Sequence, residues 1–203
     1  QLYGGGLYMV RDFQSGNPVV VDVLKDSVVA SGALKGQKLA GGAFLSPELS
    51  FDGQQILFAY AQPAYANKAR AWEYTAENSF HIFKVNVDGS ELVQLTDGNQ
   101  NDFDPCYLPN GRIAFISTRT EGRGGAWFYP RCFLDRAPVQ FFLHSISADG
   151  SDLIPLSYHE TDEWQPSVNN DGMLVYTRWD YVDRNSNAAQ HLWTCYPDGR
   201  DPR

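Results

Sequence analysis

The chain has 203 residues, 43% of them hydrophobic, with 18 glycines, 11 prolines and a net charge of −8. That hydrophobic content suffices for a core and excludes a disordered chain. The acidic balance argues against nucleic acid or an anionic membrane surface as partner, because both call for a basic face.

No run approaches the roughly 18 apolar residues of a membrane helix, so membrane insertion is not expected. Abundant glycine and proline point to a turn-rich all-β chain. There is no initiator Met, and Gln1 suggests a processed or excised chain.

In chain order, Gly6-Leu7-Tyr8-Met9-Val10 and Pro18 to Leu24 read as two strands joined through Gln14-Ser15-Gly16-Asn17. Residues 25–43 are spotted with glycine and read as a loop or an extra hairpin. A pattern then appears that recurs twice. A proline with polar flanks is followed six positions later by a turn glycine and then by an apolar strand. Its members are Pro47–Gly53 before Ile56-Leu57-Phe58, Pro105–Gly111 before Ile113-Ala114-Phe115-Ile116, and Pro166–Gly172 before Leu174-Val175-Tyr176.

A second landmark alternates with the first. Asp88-Gly89, Asp149-Gly150 and Asp198-Gly199 each close an apolar run (Ile82–Val85, Leu143–Ile146, Leu192–Cys195). Asp-Gly between two such runs is a hairpin signal, because both residues tolerate the positive φ that tight turns need. Short runs follow two of these turns, Leu92–Leu95 and Leu153–Leu156.

Recurrence at a period of this length marks a repeat architecture. Each unit reads as four antiparallel strands, and the near-continuous apolar second strands require cover on both faces. Four-stranded units stacked face to face are the blades of a β-propeller. The expected fold is therefore an all-β partial propeller of about three to four blades. Residues 1–43 are read as the end of a preceding blade plus a loop, 44–96 and 103–157 as blades, and 164–203 as an incomplete blade lacking its fourth strand. The expected partner is the remainder of its own propeller, or a partner domain or chain.

In such a blade the connections after strands two and four leave on one side of the disc, and the tight turns lie on the other. The irregular segments 62–79, 119–140, 179–190, 97–102 and 158–163 all fall on the first side. Function concentrates on loops carried by a rigid scaffold. The densest cluster there joins His159, Glu160, Asp162, Glu163 and Trp164 with Arg178, Trp179, Asp180, Tyr181, Asp183 and Arg184. Carboxylates with a histidine suit a divalent metal such as zinc or calcium, or acid–base chemistry. Arginine with aromatics suits an anionic or glycan ligand. Salt-bridge bracing of the loops accounts for the same residues.

His81 and His191 fall at one position of the third strand, where the middle unit carries Phe142, so a packed or capping role is expected for both and for His144. Cys106 and Cys195 read as buried thiols. Cys132 lies in the longest insertion and is the candidate metal ligand. The three cysteines have no metal-type or haem-attachment spacing, so no cofactor of this segment itself is read from them.

On these residues a family resemblance rests. Ser46-Pro47 to Asp52-Gly53 and Asp104-Pro105 to Asn110-Gly111 resemble the blades of TolB-type propellers. Asn101–Cys106 to Ser117-Thr118-Arg119, His159–Trp164 and Tyr176–Arg184 resemble exported bacterial proteins related to the hydrazine synthase α subunit. The resemblance implies a periplasmic or secreted location. It also implies a propeller lying beside a c-type haem carried by another domain, with a zinc ion near it. Cys132 then matches that family's metal ligand. Three functions follow: a binding scaffold within a larger exported protein, part of a haem- or metal-dependent oxidoreductase, or a carbohydrate-active propeller.

Overall fold

The computed structural model describes residues 4–63, 75–119, 141–158, 162–179 and 190–203. Among these it is built from strands, with one short 3-10 turn at Ala76–Asn78 and no α-helix. A hairpin of β1 (Tyr8–Arg11) and β2 (Val19–Asp22) comes first. A sheet of β3 (Ala43–Leu49), β4 (Gln55–Ala61), β5 (His81–Asn86) and β6 (Val93–Gln94) follows, its strands neighbouring in chain order. The next sheet repeats this with β7 (Asp102–Tyr107), β8 (Arg112–Ser117), β9 (Phe142–Ser147) and β10 (Ile154–Pro155). The last has β11 (Glu163–Val168), β12 (Leu174–Trp179) and β13 (Gln190–Cys195). Every pairing within these sheets is antiparallel.

The sheets stack face to face, and the second strands show why. Alternate side chains of a strand point to opposite faces. From β4, Ile56, Phe58 and Tyr60 enter the core shared with the first hairpin. Leu57, Ala59 and Ala61 enter the core shared with the next sheet. From β8, Ile113 and Phe115 face back into that core, while Ala114 and Ile116 face forward into a third. A strand buried on both faces has no solvent side, hence the continuous apolar run. Each fully buried Phe, Leu or Ile contributes about 1.5–3 kcal/mol.

The proline of the repeat marks a bulge. The pairing register shifts between Leu45 and Glu48, Phe103 and Cys106, and Trp164 and Ser167. In each copy the residue before proline has positive φ: Ser46 at 49°, Asp104 at 50° and Gln165 at 52°. Proline has no N–H to give a ladder, so it sits where a bulge leaves one unused. Ser46 Oγ donates to Asp104 Oδ1, tying the bulges of neighbouring sheets together.

The Asp-Gly hairpins carry a second contact between sheets. A Cβ on Gly89 would land on the carbonyl oxygen of Val23, and one on Gly199 on that of Leu156. Each hairpin thus crosses the outermost strand of the preceding sheet at backbone distance.

Two stretches add detail to their sequence reading. Residues 25–43 hold a tight turn in which Val29 N donates to Gln37 O and Gly36 N to Val29 O. Beside it, Ser31 bridges Val93 in parallel, extending the sheet beyond β6. The last unit has three strands, and beyond them Thr194 of β13 and Arg203 exchange backbone hydrogen bonds of 2.8 and 2.9 Å.

Candidate functional site

The connections after β4, β8 and β12, and those between successive sheets, leave from the same ends of the strands. The opposite ends close in short turns at Gly53, Gly111 and Gly172 and in the Asp-Gly hairpins. The loop-side rim is therefore built where the first strand of one sheet enters beside the third strand of its predecessor. Two such junctions, entered by β7 and β11, carry a buried carboxylate. At both, the entering backbone N–H is fixed in the same way: Asp102 N donates to Phe80 O and Glu163 N to Phe141 O, each at 2.8 Å.

The carboxylate of Asp102 is fully buried. Its Oδ1 accepts from Arg119 Nη1, and Arg119 also donates to Ser117 Oγ at 3.0 Å and Asp97 O at 2.9 Å. His81, on the preceding sheet, places Nε2 3.0 Å from Ala76 O, and a carbonyl only accepts, so Nε2 carries the proton. Its Nδ1 faces Asp102 Oδ2 at 4.0 Å. Sequence reading quotes Asp102 and Arg119 within the stretches that carry the family resemblance but does not single them out as site residues. They stand at opposite ends of a hairpin, one closing a loop and one opening the next, so no local motif links them.

Glu163 is equally buried. Its Oε2 accepts from Leu143 N at 3.0 Å and from Ser157 Oγ. In the β11–β12 ladder Glu163 stands opposite Arg178. The Arg178 guanidinium stacks 3.9 Å above the Trp193 ring. Burial, then the Glu163 charge, pushes the Tyr176 phenol upward. A cavity of about 240 Å³ opens here, with Ser157, Tyr158, Glu163, Tyr176, Arg178 and Pro202 among its lining.

Asp162 accepts from Phe141 N at 3.0 Å, while burial raises its pKa to about 6. Its carbonyl accepts from Trp179 N at 2.9 Å. Trp164 packs against Phe141, which in turn meets Phe103 edge-on at 5.3 Å. Trp179 closes β12 with its side chain buried.

Of the residues singled out on the sequence, Asp162, Glu163, Trp164, Arg178 and Trp179 thus gather at this junction. His159, Glu160, Asp180, Tyr181, Asp183, Arg184 and Cys132 lie outside the described residues. Among the described residues no three His, Cys, Asp or Glu side chains form a group that could hold a metal ion. Cys106 and Cys195 are buried thiols, each raised to about 12, chiefly by burial. His81 and His144 are buried, whereas His191, for which a packed or capping role is expected, is exposed on β13. The next sheet packs against β5, where His81 meets Asp102 of β7, whereas no described sheet follows β13.

Comparison with known proteins bears on the whole arrangement. No family model matches the chain. A putative TolB from Agrobacterium tumefaciens superposes with a TM-score of 0.58 at 15% identity, over 97% of this chain and 59% of that one. The Kuenenia stuttgartiensis hydrazine synthase superposes with 0.58 at 14% identity, over 92% of this chain and 27% of that one. An oligogalacturonate lyase solved with manganese gives 0.55 at 16% identity, over 92% and 46%. The fold is a TolB-like β-propeller. In sequence, 116 residues are 31% identical to dipeptidyl-peptidase 5 of Porphyromonas gingivalis, covering 50% of this chain and 16% of that protein. The TolB-like segment therefore spans only a minor part of that curated relative. No helix among the described residues is long and apolar enough to cross a membrane.

Proposed function

We propose that this TolB-like segment is a binding scaffold of a larger exported bacterial protein, and that its loop-rich face meets a ligand or partner domain. One observation carries the reading. All the irregular connections depart from one set of strand ends, where the junctions entered by β7 and β11 each bury a carboxylate, while the opposite ends close in short turns. A stack held by three interlocking apolar clusters gives such a face a rigid base.

The test compares two triple variants in the full-length protein: Tyr158→Ala, Asp162→Ala and Arg178→Ala on the loop side, and Asp52→Ala, Asn110→Ala and Asp171→Ala on the turn side. Calorimetric titration would use zinc, calcium, manganese, acidic oligosaccharides and the protein's own other domains as separate ligands. The expected result is binding weakened about tenfold, roughly 1.4 kcal/mol, by the loop-side set alone. Weakening by the turn-side set alone removes the reading.

An enzymatic role, either carbohydrate-active or as part of a haem- or metal-dependent oxidoreductase, has one observation in its favour. A carboxylate, a phenol and a guanidinium (Glu163, Tyr176 and Arg178) line a single cavity. Turnover of uronate oligosaccharides, or a haem absorption band in the full-length protein, is its measurement. Loss of either signal in Arg178→Ala with the fold intact would tie it to this junction.

A further inference from the structure

His81 and Asp102 meet at the junction entered by β7 in a way that the proposed binding role does not use. His81 Nε2 donates to Ala76 O at 3.0 Å, so in the neutral ring Nδ1 is left with a lone pair. That nitrogen faces Asp102 Oδ2 at 4.0 Å, and a carboxylate oxygen also only accepts. Among the described residues neither atom has a hydrogen-bond partner, and both are out of contact with solvent. His81 is 4% exposed and Asp102 0%. Two buried acceptors thus face each other with no proton between them, which costs each the hydrogen bond it would make in water.

Arg119 does not relieve this. Its Nη1 donates to Asp102 Oδ1 and to Ser117 Oγ, and its Nη2 to Asp97 O. The other titratable groups on neighbouring elements are engaged elsewhere or exposed. Tyr60, opposite His81 in the β4–β5 ladder, donates its hydroxyl to Ala40 O at 3.2 Å. Glu77, in the turn before β5, and Asp97, ahead of β7, have exposed side chains. A second proton on the His81 ring gives both acceptors what they lack, and histidine is the side chain whose charge changes between pH 5 and 8. The junction entered by β11 has no such pair. Phe142 holds the place of His81 there, and Glu163, in the place of Asp102, accepts from Leu143 N and Ser157 Oγ.

We propose that this junction is a proton-operated clamp, in which His81 takes up a proton on Nδ1 at mildly acidic pH and donates it to Asp102 Oδ2 while Arg119 keeps Oδ1. The proton comes from solvent, and the charged ring still donates Nε2–H to Ala76 O. The clamp joins three connections of the loop side. Ala76 stands near the end of connection 62–79, Asp97 opens 97–102, and Arg119 opens 119–140. Proton uptake ties their roots into one buried chain of hydrogen bonds. The tie is complete on the acid side and is lost as pH rises and the Nδ1 proton leaves.

The experiment follows the His81 imidazole by NMR in the full-length protein with labelled histidine, between about pH 5 and pH 8. Its signals are assigned by their absence from His81→Phe, which copies Phe142, or from His81→Gln. The expected result is a proton on Nε2 alone at the upper end of the range and on both nitrogens at the lower end. Asp102→Asn can offer an amide N–H to Nδ1 and an oxygen to Arg119, so its ring is expected to stay neutral throughout. Amide exchange at Asp102, whose N–H is held by Phe80 O, reads the clamp itself. From the upper to the lower end its protection factor is expected to rise about tenfold in the parent, the effect of one hydrogen bond to a charged group, and to stay level in His81→Phe. A parent ring that is neutral at the lower end overturns the proposal. Equal titration in Asp102→Asn overturns Asp102 as the partner, and parent protection that does not change with pH overturns the clamp.

Discussion

Asp102 and Glu163 occupy the same slot of successive sheets, yet their surroundings differ. Both enter at the loop-side rim, both are fully buried, and both have their N–H held by the preceding sheet. Asp102 meets a guanidinium that reaches back from the end of the next strand. Glu163 instead meets a backbone N–H and a hydroxyl of the preceding sheet, beside a cavity. In the first complete sheet the slot holds Phe44, stacked 5.8 Å from Phe58. The fold fixes where this side chain goes and leaves its chemistry open. One junction is sealed by an ion pair, while the other keeps room for a ligand.

The comparison can be broken at several points. Asp102→Ala strands the Arg119 guanidinium in a buried site and should cost about 3–5 kcal/mol, read as a fall in the urea midpoint. If instead the loss is under about 1 kcal/mol, the first junction is no more dependent on charge than the second. A separate effect tests the hairpin crossings. Gly89→Ala should destabilise by more than the roughly 1–2 kcal/mol that a left-handed conformation costs a residue with a side chain, because the new methyl also meets Val23 O. Gly53→Ala, with φ of 72° and no atom near the added carbon, should lose only that strain. Equal losses would show that the hairpin does not bear on the neighbouring sheet.

Glu163→Gln keeps an acceptor for Leu143 N–H and Ser157 Oγ, so it should cost only about 0.5–1.5 kcal/mol in the same measurement. A loss as large as that of Asp102→Ala would erase the contrast. The last effect concerns Asp162. Burial raises its pKa from 3.8 to about 6, so the folded state holds a proton that the unfolded chain has released across that window. Stability should therefore decline as pH rises from about 4 to about 6 and level off above it. Asp162→Asn, which retains an oxygen for Phe141 N–H, should flatten that part of the profile. An unchanged profile would remove Asp162 as its source.

The blades were legible in the sequence because their determinants are local. Pro47, Pro105 and Pro166 mark bulges, the Asp-Gly pairs close hairpins, and a strand covered on both faces must be apolar at every position, as Leu57-Phe58-Ala59 is. Part of the rim was legible too. Glu163 and Arg178 were drawn together by topology, since the ends of strands one and two of a blade share a side. The Asp102–Arg119 pair was not, because each residue in isolation resembles an ordinary loop charge. Nor was the exposure of His191, which depends on whether a further sheet packs against β13.

The sequence by itself determined the period, the strand polarity and the side of the disc on which the long connections lie. These follow from steric rules acting over a few residues, repeated along the chain. Only the tertiary structure decided which carboxylate is matched by a cation and which junction encloses a cavity. Such choices depend on distances between side chains from different sheets, and on the cost of burying a charge without a partner, which no stretch of chain contains alone.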